Sequence, residues 1–361
     1  MDLHIVGGFL GSGKTTAIIG AAKHLMARGK RVGVVTNDQG KYLVDTAFFV
    51  SAAVPAVEVT GGCFCCNYDD LDARLAQLSE EASPDVIFAE SVGSCADIVA
   101  TVVKPLLALR APGSSTPASF SVFADARLLR RRLLGQPMPF SDDVVYLFDK
   151  QIEEAGLLVI NKRDLLTDAD AAELYAMARA QFPTQTVRLQ NSLDPAAVAE
   201  WLADLEQGLA TPPVESLEID YQRYGAGEAD LAWLDERLEF HLPAGQGQAL
   251  VTRLMEGVLA ELARRSLAIG HLKVMVRGDG VEAKISFPTL EVEGWQEEIP
   301  PFPGTTVTML INARVEAGAD ELRTLVGEVV TATAHRMGAT VEVEDVAAFH
   351  PSFPNPTHRL A

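Results

Sequence analysis

Short apolar runs alternate with amphipathic helical stretches along the first half of the chain. Runs of this length, separated by segments long enough for a helix, are typical of parallel strands joined by helices. The runs that predict strands are Leu3–Val6, Arg31–Thr36, Ala56–Val59, Asp85–Ala89, Ser119–Ala124, Leu157–Ile160 and Thr186–Leu189. We therefore expect an α/β fold, with a mostly parallel sheet and helices on both of its faces.

The pattern changes after the segment Thr211-Pro212-Pro213, which predicts a linker between two domains. Beyond it, strands and helices follow in an order that favours a small α+β domain with helices on one face of its sheet. The elements predicted there are strands near Leu231–Leu242, Leu272–Val276, Val281–Phe287, Thr305–Ala313 and Thr340–Ala348, and helices near Gln248–Arg265 and Ala319–Gly338. We expect a first domain at residues 1–213 and a smaller second domain at residues 214–361.

Charge and hydropathy narrow the class of protein. The 49 acidic and 30 basic side chains give a net charge of −19, which repels nucleic acid and anionic membrane surfaces. Hydrophobic residues make up 48% of the chain, yet no apolar run reaches the roughly 18 uncharged residues that a membrane span needs. The first residues, Met1–Val6, contain no basic segment of the kind that begins a secretion signal. We expect a cytoplasmic protein that binds neither nucleic acid nor membranes.

A glycine-rich turn follows the first predicted strand and begins the first predicted helix. Its pattern, Gly8, four residues, then Gly13-Lys14-Thr15, is that of a phosphate-binding loop, in which backbone amides surround the β-phosphate. We expect Lys14 to bridge the β- and γ-phosphates and the Thr15 hydroxyl to ligate Mg²⁺. The residues predicted to contact the nucleotide here are Gly11, Ser12, Gly13, Lys14, Thr15 and Thr16. The turn therefore predicts a nucleoside triphosphatase, with Lys14 among its catalytic residues.

Acidic residues follow two other predicted strands, at the same edge of the sheet as this loop. Glu90 follows the run Asp85–Ala89, where its carboxylate can hold a water bound to the metal. Asp38 and Gln39 follow the run Arg31–Thr36, where Asp38 can reach the Mg²⁺ and Gln39 can position the attacking water. We therefore predict catalytic roles for Glu90, Asp38 and Gln39.

The segment Asn161-Lys162-Arg163-Asp164 follows the predicted strand Leu157–Ile160 and indicates which base is bound. The carboxylate of Asp164 can accept hydrogen bonds from the N1–H and N2–H₂ groups of guanine, which adenine does not offer. The residues predicted to bind GTP in this region are Asn161, Lys162, Asp164 and Ser192, the last at the end of the next strand. The same segment disfavours an ATPase or a small-molecule kinase.

Three of the four cysteines lie within four positions, in Gly61-Gly62-Cys63-Phe64-Cys65-Cys66. Thiolates this close together suit a transition metal better than a disulfide framework in a reducing compartment. Cys63, Cys65 and Cys66 are therefore predicted to bind a metal ion such as Zn²⁺, Cu⁺ or Co²⁺. A tetrahedral site needs one more ligand. Cys95 is a candidate for that ligand or for a resolving thiol. The alternative interpretation is that Cys95 is simply a small buried residue at the start of a helix.

Together these motifs resemble the CobW-type GTPases, in the branch of phosphate-loop proteins that includes nickel chaperones of urease and hydrogenase. The matching segments are Gly8–Thr16, Asn37-Asp38-Gln39-Gly40, Gly62-Cys63-Phe64-Cys65-Cys66, Glu90-Ser91-Val92-Gly93, Lys150-Gln151-Ile152-Glu153-Glu154-Ala155 and Asn161-Lys162-Arg163-Asp164. The resemblance implies GTP-dependent handling of a transition metal, or service to a cobalamin-related pathway, with dimerisation in the GTP state. Many relatives carry a histidine-rich segment, but the seven histidines here are scattered, so a metal site must rest on thiolates.

Two hypotheses of function follow from the sequence. In the first, the chain is a GTP-hydrolysing metallochaperone: Cys63, Cys65 and Cys66 bind Zn²⁺ or Co²⁺, and GTP turnover reshapes their loop for delivery to a metal-requiring client. In the second, the chain is a GTPase switch for a corrinoid enzyme, and the cysteines form a structural zinc site. Both predict GTP and GDP as ligands and allow a homodimer that depends on GTP.

Overall fold

The computed structural model describes residues 1–37, 40, 44–109, 118–290, 292 and 294–361. These residues form two units, and each is described by itself. The first consists of Met1–Gln39, Asp45–Gly227 and Ser352–Ala361, and the second of Gly40–Val44 and Glu228–Pro351. The C-terminal segment of the chain therefore belongs to the first unit.

A seven-stranded parallel sheet forms the centre of the first unit. Its strands are β1 (Asp2–Gly7), β2 (Val32–Asn37), β3 (Ala56–Val59), β4 (Val86–Glu90), β5 (Ala118–Asp125), β6 (Leu157–Asn161) and β7 (Thr186–Leu189). The strand order is β3-β2-β4-β1-β5-β6-β7, and every neighbouring pair is parallel. The predicted α/β class is confirmed, because each strand lies on one of the apolar runs named above.

Helices connect and flank these strands. They are α1 (Lys14–Ala27), α2 (Val44–Ser51), α3 (Tyr68–Ala82), α4 (Lys104–Leu109), α5 (Ala126–Leu133), α6 (Asp142–Glu153), α7 (Asp168–Gln181), α8 (Pro195–Glu206) and α9 (Tyr221–Asp230), with a π-helical turn at Val99–Val103 and a 3₁₀ turn at Arg163–Leu165. Side-chain caps fix where some of them begin: the Ser141 side chain accepts from the N–H of Val144 at the start of α6. None of the helices in the described part of the chain is long and apolar enough to cross a membrane.

Both faces of this sheet are covered by helices. On one face, Ile18 of α1 and Trp201 of α8 lie in one buried cluster with strand residues that include Phe123. The rings of Trp201 and Phe123 meet edge to face at a centroid distance of 5.2 Å. On the other face, Gly33 leaves room for Leu78 of α3. The strands are thus buried on both sides, which explains why their sequences are continuously apolar rather than alternating.

The second unit is built on a five-stranded antiparallel sheet. Its strands are β8 (Leu231–His241), β9 (Ile269–Gly278), β10 (Val281–Phe287), β11 (Thr306–Glu316) and β12 (Thr340–Phe349), and its long helices are α10 (Gly247–Arg264) and α11 (Ala319–Met337). The strand order is β10-β9-β11-β8-β12. Apolar residues of both helices and of alternate strand positions form one core, which confirms the predicted α+β architecture.

A buried polar network lies at strand positions of this sheet that do not belong to the apolar core. Nε2 of His271 lies 2.6 Å from Oδ1 of Asn312, and Nδ2 of Asn312 donates to Oδ1 of Asp235 over 2.7 Å. Gly40 belongs to the same unit, and a Cβ atom at that position would clash with the Asp235 carboxylate. The close approach therefore requires glycine at position 40.

The boundary between the units lies later than the predicted linker at residue 213. Residues after that linker still pack in the first unit: Tyr224 is fully buried beside Ala96 and Leu147, and its hydroxyl accepts a hydrogen bond from the N–H of Ala96 over 3.2 Å. The division follows Gly227 instead. The two prolines therefore mark a loop within the first unit, since the apolar side chains that follow them still complete its core.

Candidate functional site

The phosphate-binding loop connects β1 to α1 where the strand order of the sheet reverses. Because β1 lies between β4 and β5, the loop is at the edge where the carboxyl ends of these strands meet. Gly13 has a φ of +93°, and a Cβ atom there would clash with Nδ2 of Asn161. Gly8 has a φ of +122°, and a Cβ atom there would clash with the backbone of Phe123. Both positions require glycine for conformation and for space.

Lys14 and Thr15 lie at the buried start of α1. Nζ of Lys14 donates to the carbonyl oxygen of Gly8 over 2.7 Å, so the ammonium group lies over the loop. Oγ1 of Thr15 donates to Oε1 of Glu90 over 2.8 Å. Glu90 is the last residue of β4 and is 5% exposed. The sheet therefore brings the predicted carboxylate to the predicted Mg²⁺ ligand, and oxygen donors of this kind suit Mg²⁺.

The other residues predicted to contact the phosphates lie in the same loop. Gly11 and Ser12 precede α1, and Thr16 lies in its first turn, where backbone N–H groups favour a bound anion. The N–H of Ser12 donates to the carbonyl oxygen of Phe9 over 3.2 Å and closes the loop as a turn. Their contacts with a nucleotide stay predictions.

Asp38 and Gln39 lie outside the described residues. Their catalytic roles therefore stay predictions, and the structure describes only the strand that leads to them. That strand, β2, ends at Asn37, whose side chain donates to the carbonyl oxygen of Gly62, next to Cys63.

Asn161, at the end of β6, supports the phosphate-binding loop. Its Nδ2 donates to the carbonyl oxygen of Ser12 over 2.8 Å, and its Oδ1 accepts from the N–H and the hydroxyl of Ser192 over 3.0 and 2.8 Å. Both ends of this amide thus bind groups of the protein. Asn161 joins two loops of the site, a role that the sequence motif did not indicate, while contacts of Asn161 and Ser192 with GTP stay predictions.

The sequence did not single out a buried carboxylate that lies next to the segment of residues 161–164. Asp125 ends β5, and its Oδ2 lies 3.0 Å from Nζ of Lys162 and 2.8 Å from the guanidinium group of Arg127. Burial opposes the ionisation of Asp125, but the two cations outweigh it and lower its pKa to about 2. Asp164 is exposed in the 3₁₀ turn. Asp125 therefore fixes the head of Lys162, and Asp164 is accessible to a ligand.

The three clustered cysteines form a compact group of thiols. Sγ of Cys63 lies 2.8 Å from Sγ of Cys65 and 3.4 Å from Sγ of Cys66, and Sγ of Cys65 lies 3.7 Å from Sγ of Cys66. The chain turns tightly here, because the N–H groups of Cys66 and Asn67 both donate to the carbonyl oxygen of Cys63. Cys63 and Cys65 are buried and Cys66 is partly exposed. In the described part of the chain, this is the one group of three potential ligands whose atoms are mutually close.

From the end of β2, Asn37 holds the loop that carries the clustered cysteines, residues 60–66, which we call the cysteine loop. Its Nδ2 donates to the carbonyl oxygens of Gly62 and Val59 over 2.8 and 3.2 Å. Its Oδ1 accepts from the N–H of Phe64 over 2.7 Å. The residue just before the predicted catalytic pair therefore fixes the backbone on both sides of Cys63.

The thiols of this cluster differ in their pKa values. Hydrogen bonds with the thiols of Cys65, Cys66 and Cys95 lower the pKa of Cys63 well below its usual value and outweigh the effect of burial. The contact with Cys63, together with burial, raises the pKa of Cys66 to about 11. A thiolate at Cys63 is thus stabilised by its neighbours. A metal ion that binds here must displace the remaining protons.

The C-terminal segment lies across the cysteine loop. The N–H of Asn355 donates to Sγ of Cys66 over 3.3 Å, and the N–H of Thr357 donates to the carbonyl oxygen of Cys65 over 2.9 Å. Oγ1 of Thr357 also donates to the carbonyl oxygen of Cys66 over 3.0 Å. The sequence did not predict these contacts, because an irregular segment carries no periodic pattern that would place it.

Residues 2–188 match the family model described as the CobW/HypB/UreG nucleotide-binding domain. The chain belongs to the CobW/HypB/UreG family. The match begins in β1 and ends in β7, so it includes the phosphate-binding loop, the cysteine loop and the segment of residues 161–164. The resemblance inferred from the motifs is confirmed.

Curated proteins similar to this family member are zinc chaperones by name. They include the zinc chaperone CobW of Sinorhizobium sp, 29% identical over 209 residues, and the zinc chaperone YeiR of Escherichia coli (strain K12), 29% identical over 174 residues. The alignments cover 51% and 45% of this chain and 56% and 47% of those relatives, so the match spans about half of their length. Among solved structures, HypB from Helicobacter pylori in complex with nickel gives a TM-score of 0.42 at 17% identity, over 60% of this chain and 92% of that chain.

Replacing Gly13 tests the geometry of the phosphate-binding loop. We expect Gly13→Ala to lower GTP affinity at least about tenfold, because a left-handed residue with a Cβ costs about 1–2 kcal/mol and the clash with Asn161 adds to it. Gly29→Ala is the control, since Gly29 also has a positive φ, +78°, but has open space around it. Calorimetric titration with GTP would measure both. An equal loss of affinity in the two variants would contradict this geometry.

The lowered pKa of Asp125 predicts that the free energy of unfolding depends on pH in the acid range. Folding lowers its pKa from 3.8 to about 2, which corresponds to about 2 kcal/mol of unfolding free energy at neutral pH. Since the folded pKa is the lower one, this contribution is present above about pH 4 and disappears as the pH falls toward 2. Urea unfolding at several pH values should show a shallower acid loss for Asp125→Asn than for the wild type. Identical slopes in the wild type and in Asp125→Asn would refute the assignment.

Proposed function

We propose that the chain is a GTP-binding and GTP-hydrolysing metallochaperone. In this proposal, GTP turnover is coupled to the binding and delivery of a transition metal at Cys63, Cys65 and Cys66. The observation that carries it is the position of Asn37, which ends β2 next to the predicted catalytic residue Asp38 while its amide holds the cysteine loop. In this proposal, the end of β2 therefore connects the nucleotide site to the thiols.

The family match supports the nucleotide half of the proposal. The chain carries the nucleotide-binding domain of the family, and Thr15 is hydrogen-bonded to Glu90 beside the phosphate-binding loop. In the proposed hydrolysis, Lys14 would lie against the β- and γ-phosphates, Thr15 would ligate Mg²⁺, and Glu90 would hold a water bound to that ion. The ion would neutralise charge on the phosphoryl group that is transferred. Asp38 and Gln39 are proposed to orient the attacking water.

Selection of guanine is assigned to the segment after β6. Asp164 is exposed, so its carboxylate can accept from the two guanine donors. Lys162 is held by Asp125 over 3.0 Å, and its long stem can cover the ring. Adenine has no hydrogen-bond donor at N1, so it could not make this contact with Asp164. We therefore propose GTP and GDP as the ligands.

The thiol cluster and the names of the relatives support the metal half. Thiolates select zinc and other soft or borderline metals over Mg²⁺. Zinc would therefore bind at the cysteine loop and Mg²⁺ at Thr15. The similar curated proteins are called zinc chaperones, which favours Zn²⁺ as the cargo. Co²⁺ is the second cargo that such a thiolate site would accept.

The coupling is proposed to act through the backbone of the cysteine loop. A γ-phosphate that orders the segment after Asn37 would move its amide, and with it the carbonyl group of Gly62 and the N–H of Phe64 on either side of Cys63. A ligand shifts only those states that it binds with different affinity. Zinc affinity must therefore differ between the GDP and the GTP states.

The proposed partner is a client protein that requires the metal. We propose that the exchange takes place in the cytoplasm and that a homodimer forms in the GTP state. The net charge of −19 disfavours nucleic acid as a partner. The client's own site would complete the transfer by offering ligands as the cysteine loop opens.

A second candidate function is a GTPase switch for a corrinoid enzyme, with a structural metal at the cysteines. The burial of Cys63 and Cys65 favours it, because structural zinc sites are closed. Under this function, replacing the three cysteines by serine would unfold the first unit. Under the metallochaperone proposal, the triple variant stays folded, binds GTP and loses zinc binding, which circular dichroism and metal titration would distinguish.

Replacing Asn37 tests the coupling. We expect the zinc affinity of the wild type to differ at least about fivefold between the GDP state and a state with a nonhydrolysable GTP analogue, the lower end of ordinary allosteric coupling. In Asn37→Ala this ratio should fall toward one. The matched control is Asn67→Ala, because Nδ2 of Asn67 holds the same loop at the carbonyl oxygen of Thr60, over 3.0 Å, without touching β2.

Competition against a zinc-sensitive dye would give these affinities. The control variant should bind zinc more weakly in both states and keep the wild-type ratio. If wild-type zinc affinity proved equal in the two nucleotide states, or if Asn67→Ala abolished the ratio as Asn37→Ala does, the proposed coupling would be wrong.

A further inference from the structure

The thiol of the fourth cysteine contacts two of the three clustered thiols. Cys95 is 1% exposed, and its side chain shares hydrogen bonds with the thiols of Cys63 and Cys65. It lies 29 residues further along the chain than Cys66, on the loop that follows β4. We infer that Cys95 is the fourth ligand of the metal and completes a tetrahedral site of four thiolates. This inference rests on the proposed metal-binding function and adds the coordination that the function requires.

The C-terminal end of α6 holds the backbone on both sides of Cys95. Nε2 of Gln151, on α6, donates to the carbonyl oxygens of Gly93 and Cys95 over 3.0 and 2.8 Å. On the same helix end, Oε2 of Glu154 accepts from the N–H of Val99 over 3.1 Å. The segment Lys150–Ala155, which carries part of the family resemblance, is therefore a support for the loop of Cys95. A ligand whose main chain is fixed in this way loses little conformational freedom when it binds a metal.

The distances among the thiols of Cys63, Cys65 and Cys66 suit a metal-bound state after a modest expansion. A tetrahedral site with Zn–S bonds of about 2.3 Å has sulfur atoms about 3.8 Å apart. The separations of Cys66 from Cys65 and Cys63, 3.7 and 3.4 Å, are already close to that value. The pair Cys63 and Cys65, at 2.8 Å, must widen, and the cation removes the shared proton that now holds them together.

Excess negative charge at such a site is offset by backbone donors. Four thiolates around Zn²⁺ carry two negative charges in excess, which a buried site tolerates only with compensating partners. The N–H of Asn355, from the C-terminal segment, already donates to Sγ of Cys66 over 3.3 Å. The partly exposed Cys66 is therefore both the entry side of the site and the ligand that the C-terminal segment stabilises.

The position of Cys95 also relates the fourth ligand to the nucleotide. Its loop begins at Glu90, which binds the Thr15 hydroxyl. It passes the phosphate-binding loop at Gly93, where a Cβ atom would lie 3.0 Å from the backbone N of Leu10. Loss of this one ligand would convert a closed site of four thiolates into an open one of three, from which a client could take the metal.

Extended X-ray absorption at the zinc edge tests the inference directly. The full-length protein, loaded with one zinc ion in the presence of GDP, should show four sulfur neighbours at about 2.3 Å and no nitrogen or oxygen neighbour. Cys95→Ser should show three sulfur neighbours and one lighter neighbour, with zinc affinity lower at least about tenfold. Three sulfur neighbours in the wild type, or unchanged affinity in Cys95→Ser, would overturn the inference.

Two controls separate this inference from the function on which it rests. Cys95→Ala, which cannot supply an oxygen ligand, should lose as much zinc affinity as Cys95→Ser while both variants bind GDP normally. The spectrum of the wild type remains decisive even if both variants fail to fold. A wild-type protein that binds no zinc would refute the metallochaperone proposal itself, whereas zinc bound by three sulfur atoms would refute only the role of Cys95.

Discussion

The parallel register of the central sheet is the constraint on which the rest of the site depends. Val6 of β1 pairs with Glu90 of β4, and Gly7 pairs with Val122 of β5, so both neighbouring strands reach the level of the phosphate-binding loop. All strands of this sheet run in one direction, and their carboxyl ends share an edge. Residues distributed between positions 8 and 164 therefore meet there, and a one-residue shift of β4 would turn Glu90 away from Thr15.

Amide side chains connect the loops that extend beyond this edge. Asn37 bridges β2 to the cysteine loop, Asn161 bridges β6 to the phosphate-binding loop, and Gln151 bridges α6 to the loop of Cys95. An amide suits this task because it carries a donor and an acceptor on one rigid group, and loop backbone has polar groups without regular partners. Motif residues of this kind are therefore structural supports as well as potential ligand contacts.

Burial and proximity give the thiol cluster its chemistry. Buried thiolates without a partner would be costly, yet the thiols here exchange hydrogen bonds with one another and stabilise a single charge at Cys63. Metal binding at such a cluster replaces shared protons by a divalent cation, so it is coupled to proton release. The C-terminal segment covers the backbone of Cys65 and Cys66, which links access to the thiol cluster to the position of that segment.

The sequence by itself determined the strands of both sheets, the phosphate-binding loop, the motif at residues 161–164 and the cysteine triplet. These features are local. An apolar run or a motif involves residues only a few positions apart, so it can be recognised in the order of residues along the chain. Only the tertiary structure decided that Asp125 binds Lys162, that Cys95 joins Cys63, and that the C-terminal segment crosses the cysteine loop. It also decided where the first unit ends, because the burial of Tyr224 depends on its packing against Leu147. Contacts between residues far apart in the chain follow from strand order and packing, which leave no periodic mark on the sequence.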